Sequence, residues 1–448
     1  MTVSKSLTLG FVAIARTTFD IPLATEVTAA ARASLTVAGF TLVGPETLVS
    51  TAEDVAAATE QLTDQPLDAL LVLQATFADS GMVLALAQAI DAPLLLWAVP
   101  EARTGGRLRL NSLCGINLAG HALTRAGITY DYVYAAPDDA GAVEQVRTLA
   151  QAGRVRRRLH GARIAQVGAH PAGFPTCAAD PNALKRTFGL ELVRVDLPAV
   201  FEGVRAAESQ QVAAVAQELG ERVAGLDAVD QTALRGTLGT YLTLRDLAAR
   251  ERLDGLAVRC WPEFFTELGC AACGSMSMLS DEFTPCSCEA DVNGTITQLI
   301  LQEISGAPAF GSDVVSFDLD EDVAIFWHCG LAPLSMADPA FTPRATIHSN
   351  RRLPLLMEFP LRPGRMTIAR LSEATGSYRL VVGSGEMVRA PLSFSGTSGA
   401  LRFDRPARAV LDTIMREGLE HHLSLTYGDH VAALLALARM LDLPVLHL

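Results

Sequence analysis

The chain has 448 residues, half of them hydrophobic and 19% charged, with a formal net charge of −13. That length is enough to bury a sizeable core and, at about 150 residues per domain, sets a prior of three domains, while the acidic balance argues against a nucleic-acid partner, whose phosphates demand a basic face. No apolar stretch approaches the roughly 20 uninterrupted residues of a membrane helix, and Met1-Thr2-Val3-Ser4-Lys5 runs straight into an apolar segment with no basic leader or small-residue cleavage site, so a cytoplasmic protein is expected.

Residues 1–158 alternate apolar runs with amphipathic stretches. Segments 7–14, 68–77 and 93–99 read as buried parallel strands, and 22–38, 51–62 and 80–90 carry the helical period. This is the pattern of a doubly wound α/β domain, in which ligands gather at the carboxyl ends of the strands. One rim then receives Arg16, Thr17, Thr18 and Asp20, then Gln74 to Phe77, then Trp97 to Glu101, with Asn111 at the start of the next helix. The cluster Arg154, Arg156, Arg157 and Arg158 reads as a solvated linker or a subunit contact rather than a phosphate cradle.

After the arginines the pattern restarts. A strand at 162–168, helices at 213–224 and 232–251 and a strand at 255–260 suggest a second α/β domain over 159–308. The loop His170-Pro171-Ala172-Gly173-Phe174-Pro175 is either a ligand contact or a turn around a core phenylalanine. Glu263, just after the strand at 255–260, reaches the same rim and competes for a carboxylate role. From about residue 309 the texture changes to short strands punctuated by Gly and Ser, at 314–317, 323–327, 366–371, 378–383 and 401–403, with a final helix at 431–441. These predict a small, mainly antiparallel, barrel-like β domain over 309–448.

Cys270-x-x-Cys273 followed by Cys286-x-Cys288 approaches the spacing of a zinc site. The second pair is too close for the usual motif, so all four are expected to be buried free thiols.

Two carboxylates carry more information. Glu289 stands in Cys288-Glu289-Ala290-Asp291-Val292-Asn293-Gly294 and Asp313 in Phe310-Gly311-Ser312-Asp313-Val314; His328 follows in Trp327-His328-Cys329-Gly330 and His422 in Glu420-His421-His422. Carboxylates with imidazoles form a hard-to-borderline divalent metal site, and a carboxylate beside the ion also moves protons on a bound sugar. Each residue has a structural alternative. The lesser alternative for Glu289 is a carboxylate at a helix N-terminus, Asp313 sits in an apolar strand where an ionised group is costly unless paired or metal-bound, and His328 reads equally as a core histidine or as a ligand or substrate donor.

Together, segment 288–313, the His-Cys-Gly after it, and the ending from Gly418-Leu419-Glu420-His421-His422 to Leu443-Pro444-Val445 resemble the L-fucose and L-arabinose isomerase superfamily over most of the chain. The resemblance implies a divalent cation, usually Mn2+ with Mg2+ or Co2+ as alternatives, held by Glu289, Asp313 and His422, and the twenty-four positions from Glu289 to Asp313 match the fucose-type interval. It further implies an aldose–ketose isomerase acting on an open-chain sugar through a cis-enediol, with Glu289 and Asp313 as catalytic acid–base groups, Arg16, His328, Trp97 and Asn111 as substrate contacts, and a homotrimer or homohexamer whose pockets lie at subunit interfaces. Because the chain is well over a hundred residues shorter than fucose isomerase, another enediolate reaction, epimerisation or carbon–carbon cleavage, stays open, as does a non-catalytic sugar-binding module.

Overall fold

The computed structural model describes residues 6–448, so the expectation about a leader in residues 1–5 lies outside the described residues. The chain divides into two compact units, Met1–Arg157 with Leu435–Met440, and Arg158–Leu434 with Leu441–Leu448. No described helix is long and apolar enough to cross a membrane.

The first unit alternates β1 (Thr8–Ile14), α1 (Ile21–Val37), β2 (Thr41–Val43), α2 (Ala52–Leu62), β3 (Ala69–Gln74), α3 (Ser80–Ala89), β4 (Leu94–Ala98), α4 (Ser112–Arg125) and β5 (Tyr130–Tyr134), then enters α5 (Ala140–Leu159). The five strands form an all-parallel sheet in the order 2-1-3-4-5. Continuous apolar runs in β3 and β4 are buried throughout, as expected for strands covered by helices on both faces. Local signals start the helices: Asp20 accepts the Leu23 amide at 3.2 Å ahead of α1, and Thr51 and Asp54 form a reciprocal capping box on α2. At the switch point between β1 and β3, the Arg16 amide donates to Thr76 Oγ1 at 2.8 Å.

The arginine cluster is helical, which corrects the reading of a linker. Arg154 and Arg157 lie on α5 and both reach the carboxylate of Asp68, which is 1% exposed. Four arginines in five positions look solvated in sequence, yet the helical period brings two of them round to one buried carboxylate.

In the second unit, β6 (Arg163–Val167), α6 (Pro181–Phe188), β7 (Glu191–Val195), α7 (Leu197–Ala206), α8 (Ser209–Gly220), α9 (Gln231–Glu251), β8 (Gly255–Val258), α10 (Glu263–Thr266), α11 (Cys273–Asp281), β9 (Cys286–Ser287) and α12 (Val292–Ser305) build a four-stranded parallel sheet ordered 7-6-8-9. Then come β10 (Phe310–Asp318), β11 (Val323–His328), β12 (Arg344–Thr346), β13 (Leu356–Pro360), β14 (Gly364–Ser372), β15 (Arg379–Val388), β16 (Thr397–Phe403), α13 (Ala407–Arg416), β17 (His422–Tyr427), α14 (Val431–Met440), of which Leu435–Met440 belong to the first unit, and β18 (Val445–His447). Antiparallel pairing runs 16-11-10-17-14-15 and returns from β15 to β16, closing a six-stranded barrel. Closure removes the exposed sheet edges. The expected fold class, parallel α/β followed by a barrel-like β domain, is the observed one.

One cysteine departs from expectation. Cys288 is paired with Cys260 in a disulfide with a Cα–Cα distance of 5.8 Å, while Cys270, Cys273 and Cys286 are free and buried. The parallel β8–β9 register, Leu256 beside Cys286 and Ala257 beside Ser287, carries the two chains side by side to Cys260 and Cys288, at a separation disulfides commonly span.

Gly153 marks a close approach of α5 to the backbone just before β3, since a Cβ there would overlap the Asp68 carbonyl oxygen. Backbone has to shift to admit it. Gly153→Ala should therefore destabilise the protein by about 2–3 kcal/mol, against the helix-propensity gain alanine normally brings; urea unfolding that shows the variant as stable as the parent would contradict this packing.

Candidate active site

Strand register assembles the site. In the β10–β17 ladder Asp313 lies directly opposite His422, and in the β10–β11 ladder it lies opposite Trp327, next to His328. Three of the four residues singled out by the motif therefore converge at one end of the barrel. Glu289 arrives from the other side, in the turn between β9 and α12, where Glu289 and Ala290 both adopt positive φ, 59° and 54°. Two consecutive non-glycine residues in that region store strain of order 1–3 kcal/mol each. This backbone aims the Glu289 side chain at the barrel instead of along the helix, so Glu289 is not the helix-terminal carboxylate that its sequence context allowed.

The helix-terminal role belongs to Asp291, which sequence reasoning passed over. It caps α12 by accepting the Gly294 amide at 2.9 Å. Its carboxylate, 1% exposed, also takes Nη1 and Nη2 of the fully buried Arg370 at 2.5 and 3.1 Å and faces His422 Nδ1 at 2.9 Å. Gly294 is needed here because a Cβ would meet Asp291 Oδ2 at 2.5 Å and Arg370 Nη1 at 3.1 Å. Burial works against ionisation of Asp291, but the Arg370 charge and the His422 hydrogen bond outweigh it and hold the carboxyl far below its ordinary value.

A carboxylate on Nδ1 fixes the imidazole. With its hydrogen on Nδ1, neutral His422 turns a lone pair at Nε2 toward Asp313 Oδ1, 3.4 Å away, and Glu289 Oε2, 3.9 Å away. Asp313 Oδ1 is buried and has no hydrogen-bond partner. In that tautomer three electron-rich atoms face one another with no hydrogen between them, an arrangement that a divalent cation satisfies and that is costly without one. Two carboxylate oxygens and one imidazole nitrogen suit a hard or borderline ion.

Glu289 is held from two further directions. Trp261 Nε1 donates to Oε1 at 3.0 Å, and His421 Nε2 stands 3.1 Å from Oε2, with His421 Nδ1 in turn 3.0 Å from Thr176 Oγ1. Burial opposes the Glu289 charge, yet the hydrogen bonds from His421 and the Trp261 N–H keep its carboxyl below the usual range. Cys177 lies behind, its thiol 3.8 Å from Glu289 Oε2, and burial followed by the Asp291 and Glu289 charges pushes it far up, so it stays protonated. Cys177, Glu289, His421 and His422 form one group of donor atoms within metal-binding reach of each other, and Asp313, His328 and His422 form another. His421 therefore shares the site with the neighbour preferred over it from sequence.

His328 is buried and accepts its successor's amide, Cys329 N, on Nδ1 at 2.8 Å. That bond leaves Nε2–H as the donor. Glu263, the competing carboxylate, is clasped by Arg259 at 2.8 and 2.7 Å and lies outside both groups. In the first unit, Arg16 is exposed, Asn111 stands at the N-cap position of α4 with φ 54° and no side-chain cap bond and gives its backbone amide to Glu101 at 2.9 Å, and Trp97 is fully buried with its indole N–H on the Ala135 carbonyl at 3.0 Å.

Residues 10–160 match the family described as fucose/sulfoquinovose isomerase, N-terminal domain, and residues 358–448 match L-fucose isomerase, C-terminal domain. The chain is 33% identical to the sulfoquinovose isomerase of Priestia aryabhattai over 443 residues, 98% of each chain. It is 31% identical to that of Alkalicoccus urumqiensis over 444 residues, 99% of each, and 31% identical to that of Clostridium sp. (strain MSTE9) over 378 residues, 84% of this chain and 85% of the relative. Fold and likeness together define a sugar isomerase of the aldose–ketose class. The chain belongs to the fucose/sulfoquinovose isomerase family.

Removing Arg370 strands a buried carboxylate. Arg370→Met should lower stability by about 3–5 kcal/mol, the usual cost of breaking a buried pair from one side; a denaturation midpoint equal to the parent's would show that the pair does not bear on the fold.

Proposed function

We propose that this isomerase is divalent-metal-dependent, that it moves a proton between neighbouring carbons of an open-chain sugar through a cis-enediol, and that the sugar is sulfoquinovose, a hexose carrying a sulfonate on its terminal carbon. The observation that carries the metal part is the set of three facing lone pairs, His422 Nε2, Asp313 Oδ1 and Glu289 Oε2. Glu289, Asp313 and His422 would hold Mn2+, with Mg2+ or Co2+ as alternatives, and His421 and His328 stand beside them. The bound ion supplies Lewis-acid chemistry, polarising the sugar carbonyl and acidifying the adjacent C–H.

The chain's own groups do the rest. Glu289 is favoured in its ionised form by the hydrogen bonds from Trp261 and His421, which fits it to accept a proton from the sugar carbon. Asp313 works from the opposite side as the partner acid–base group. His328 offers its Nε2–H to a sugar oxygen. The sulfonated substrate is supported by relatives matched over nearly their whole length that are named sulfoquinovose isomerases.

Arg16 and Asn111, on the rim of the first unit, are proposed to reach the sugar of a neighbouring copy in a homotrimer or homohexamer, with Trp97 supporting that rim from beneath. Tyr132 and Tyr134, 65% and 48% exposed on the edge strand β5, support packing between copies.

Glu289→Gln keeps the shape and removes the proton acceptor, so turnover of sulfoquinovose should fall by roughly a hundredfold or more. In heavy water the parent's product should carry deuterium at the carbon next to the carbonyl; complete retention of the substrate's hydrogen would point to a hydride shift and sink the enediol. Exhaustive chelation should abolish turnover and Mn2+ should restore it. Undiminished activity of the metal-stripped protein would count against the metal.

A further inference from the structure

We propose that Arg351, laid over Trp261 and backed by His348, is the anion subsite that takes the sulfonate of the substrate. The inference rests on the isomerase reading above and adds where the charged end of the sugar is recognised.

Three observations converge on Arg351. First, its guanidinium sits 4.9 Å from the centre of the Trp261 ring and 5.2 Å from that of Phe265, a stacked cation between two aromatic rings. Trp261 is the same indole whose N–H holds Glu289 at 3.0 Å. The cation and the catalytic carboxylate thus contact the same indole, one at its face and the other at its N–H.

Second, Arg351 has no carboxylate within ion-pairing distance among the described residues, whereas the other arginines around the site are neutralised: Arg370 by Asp291 and Arg259 by Glu263. A partly buried guanidinium without a counter-charge is poised for one from outside.

Third, the hydrogen-bond count beside it is short of acceptors. His348, 5% exposed, is approached at Nδ1 by the amides of Asn350 and Arg351, both at 3.3 Å, and at Nε2 by Arg351 Nη1 at 3.2 Å. A neutral imidazole has one lone pair and a protonated one has none. Donors at both nitrogens therefore leave at least one N–H without an acceptor, in whichever tautomer. The packing of His348 edge-on against Phe265, ring centres 5.3 Å apart, keeps that edge in place. A sulfonate, with three acceptor oxygens and a full negative charge, supplies what both the guanidinium and the imidazole lack, and Arg offers it a planar fork.

The test compares Arg351→Met and Arg351→Lys with the parent on two sugars, sulfoquinovose and the same hexose lacking the sulfonate, 6-deoxyglucose, with Mn2+ supplied. The ratio of kcat/KM for the sulfonated over the neutral sugar should drop by roughly a hundredfold in Arg351→Met, chiefly through KM, as for truncation of one member of a buried charge pair. In Arg351→Lys, which keeps the charge and loses the fork, it should drop by roughly tenfold. A parental ratio in Arg351→Lys overturns the assignment even where Arg351→Met fails to fold. Should the parent turn over neither sugar, equilibrium dialysis separates the two ideas: sulfoquinovose retained by the parent and lost in Arg351→Lys supports the anion subsite while the isomerase reading fails, and no retention by the parent overturns the subsite.

Discussion

One buried carboxylate organises this molecule. Asp291 ends the turn that carries Glu289, starts α12, neutralises Arg370 and sets the imidazole of His422, and it does all four at 1% exposure. Each bond depends on the others. Arg370 comes from β14 and His422 from β17, adjacent strands of the barrel, while Asp291 comes from the parallel α/β layer, so the ion pair ties the two layers together at the point where the site forms. Replacing such a cluster by apolar residues often leaves stability unchanged or raises it. Its value here lies in orientation, because a carboxylate on Nδ1 is what turns the His422 lone pair toward Asp313 and Glu289.

The same accounting of donors and acceptors gives the site its polarity. Around His422 Nε2 the lone pairs outnumber the hydrogens, a deficit that a cation fills; around His348 and Arg351 the hydrogens outnumber the lone pairs, a deficit that an anion fills. Trp261 connects the two ends through its N–H and its ring face. A substrate with a carbonyl at one end and a sulfonate at the other has matching polarity. Phe174 packs edge-on against both Trp261 and His421, at 5.4 and 6.0 Å between ring centres, and closes the remaining side with apolar surface.

Much of this was legible in the residues. Apolar runs bounded by Gly and Pro marked β1, β3, β4, β6 and β8, because strands buried on both faces need no alternation to be seen. β5, β7 and β17 were missed: the first two are half-exposed edge strands with mixed residues, and β17 begins at the histidine pair, where ligand-like residues mask the strand pattern. In the site, Glu289, Asp313 and His422 stood out because their surrounding words resembled a family. Asp291 looked like an ordinary helix cap and Arg370 like an ordinary strand cation. Only the barrel register and the position of α12 bring those two within bonding distance, and no local spacing across seventy-nine positions signals that contact. His348 and Arg351 sit in a loop without periodicity, so their shortage of acceptors exists only in three dimensions.

The proposed metal site requires His422 Nε2, rather than a His421 nitrogen, to ligate the ion. Electron spin-echo spectroscopy of the Mn2+-loaded protein reads directly coupled histidine nitrogen, and pairing it with His421→Asn and His422→Asn variants assigns the coupling to a residue. The geometry predicts that the nitrogen modulation seen in the parent persists in His421→Asn and disappears in His422→Asn, since the Asp291 hydrogen bond commits His422 Nε2 to the centre. Modulation retained in His422→Asn and lost in His421→Asn would place the ion in the Cys177 grouping instead, and would contradict the role assigned here to the buried carboxylate.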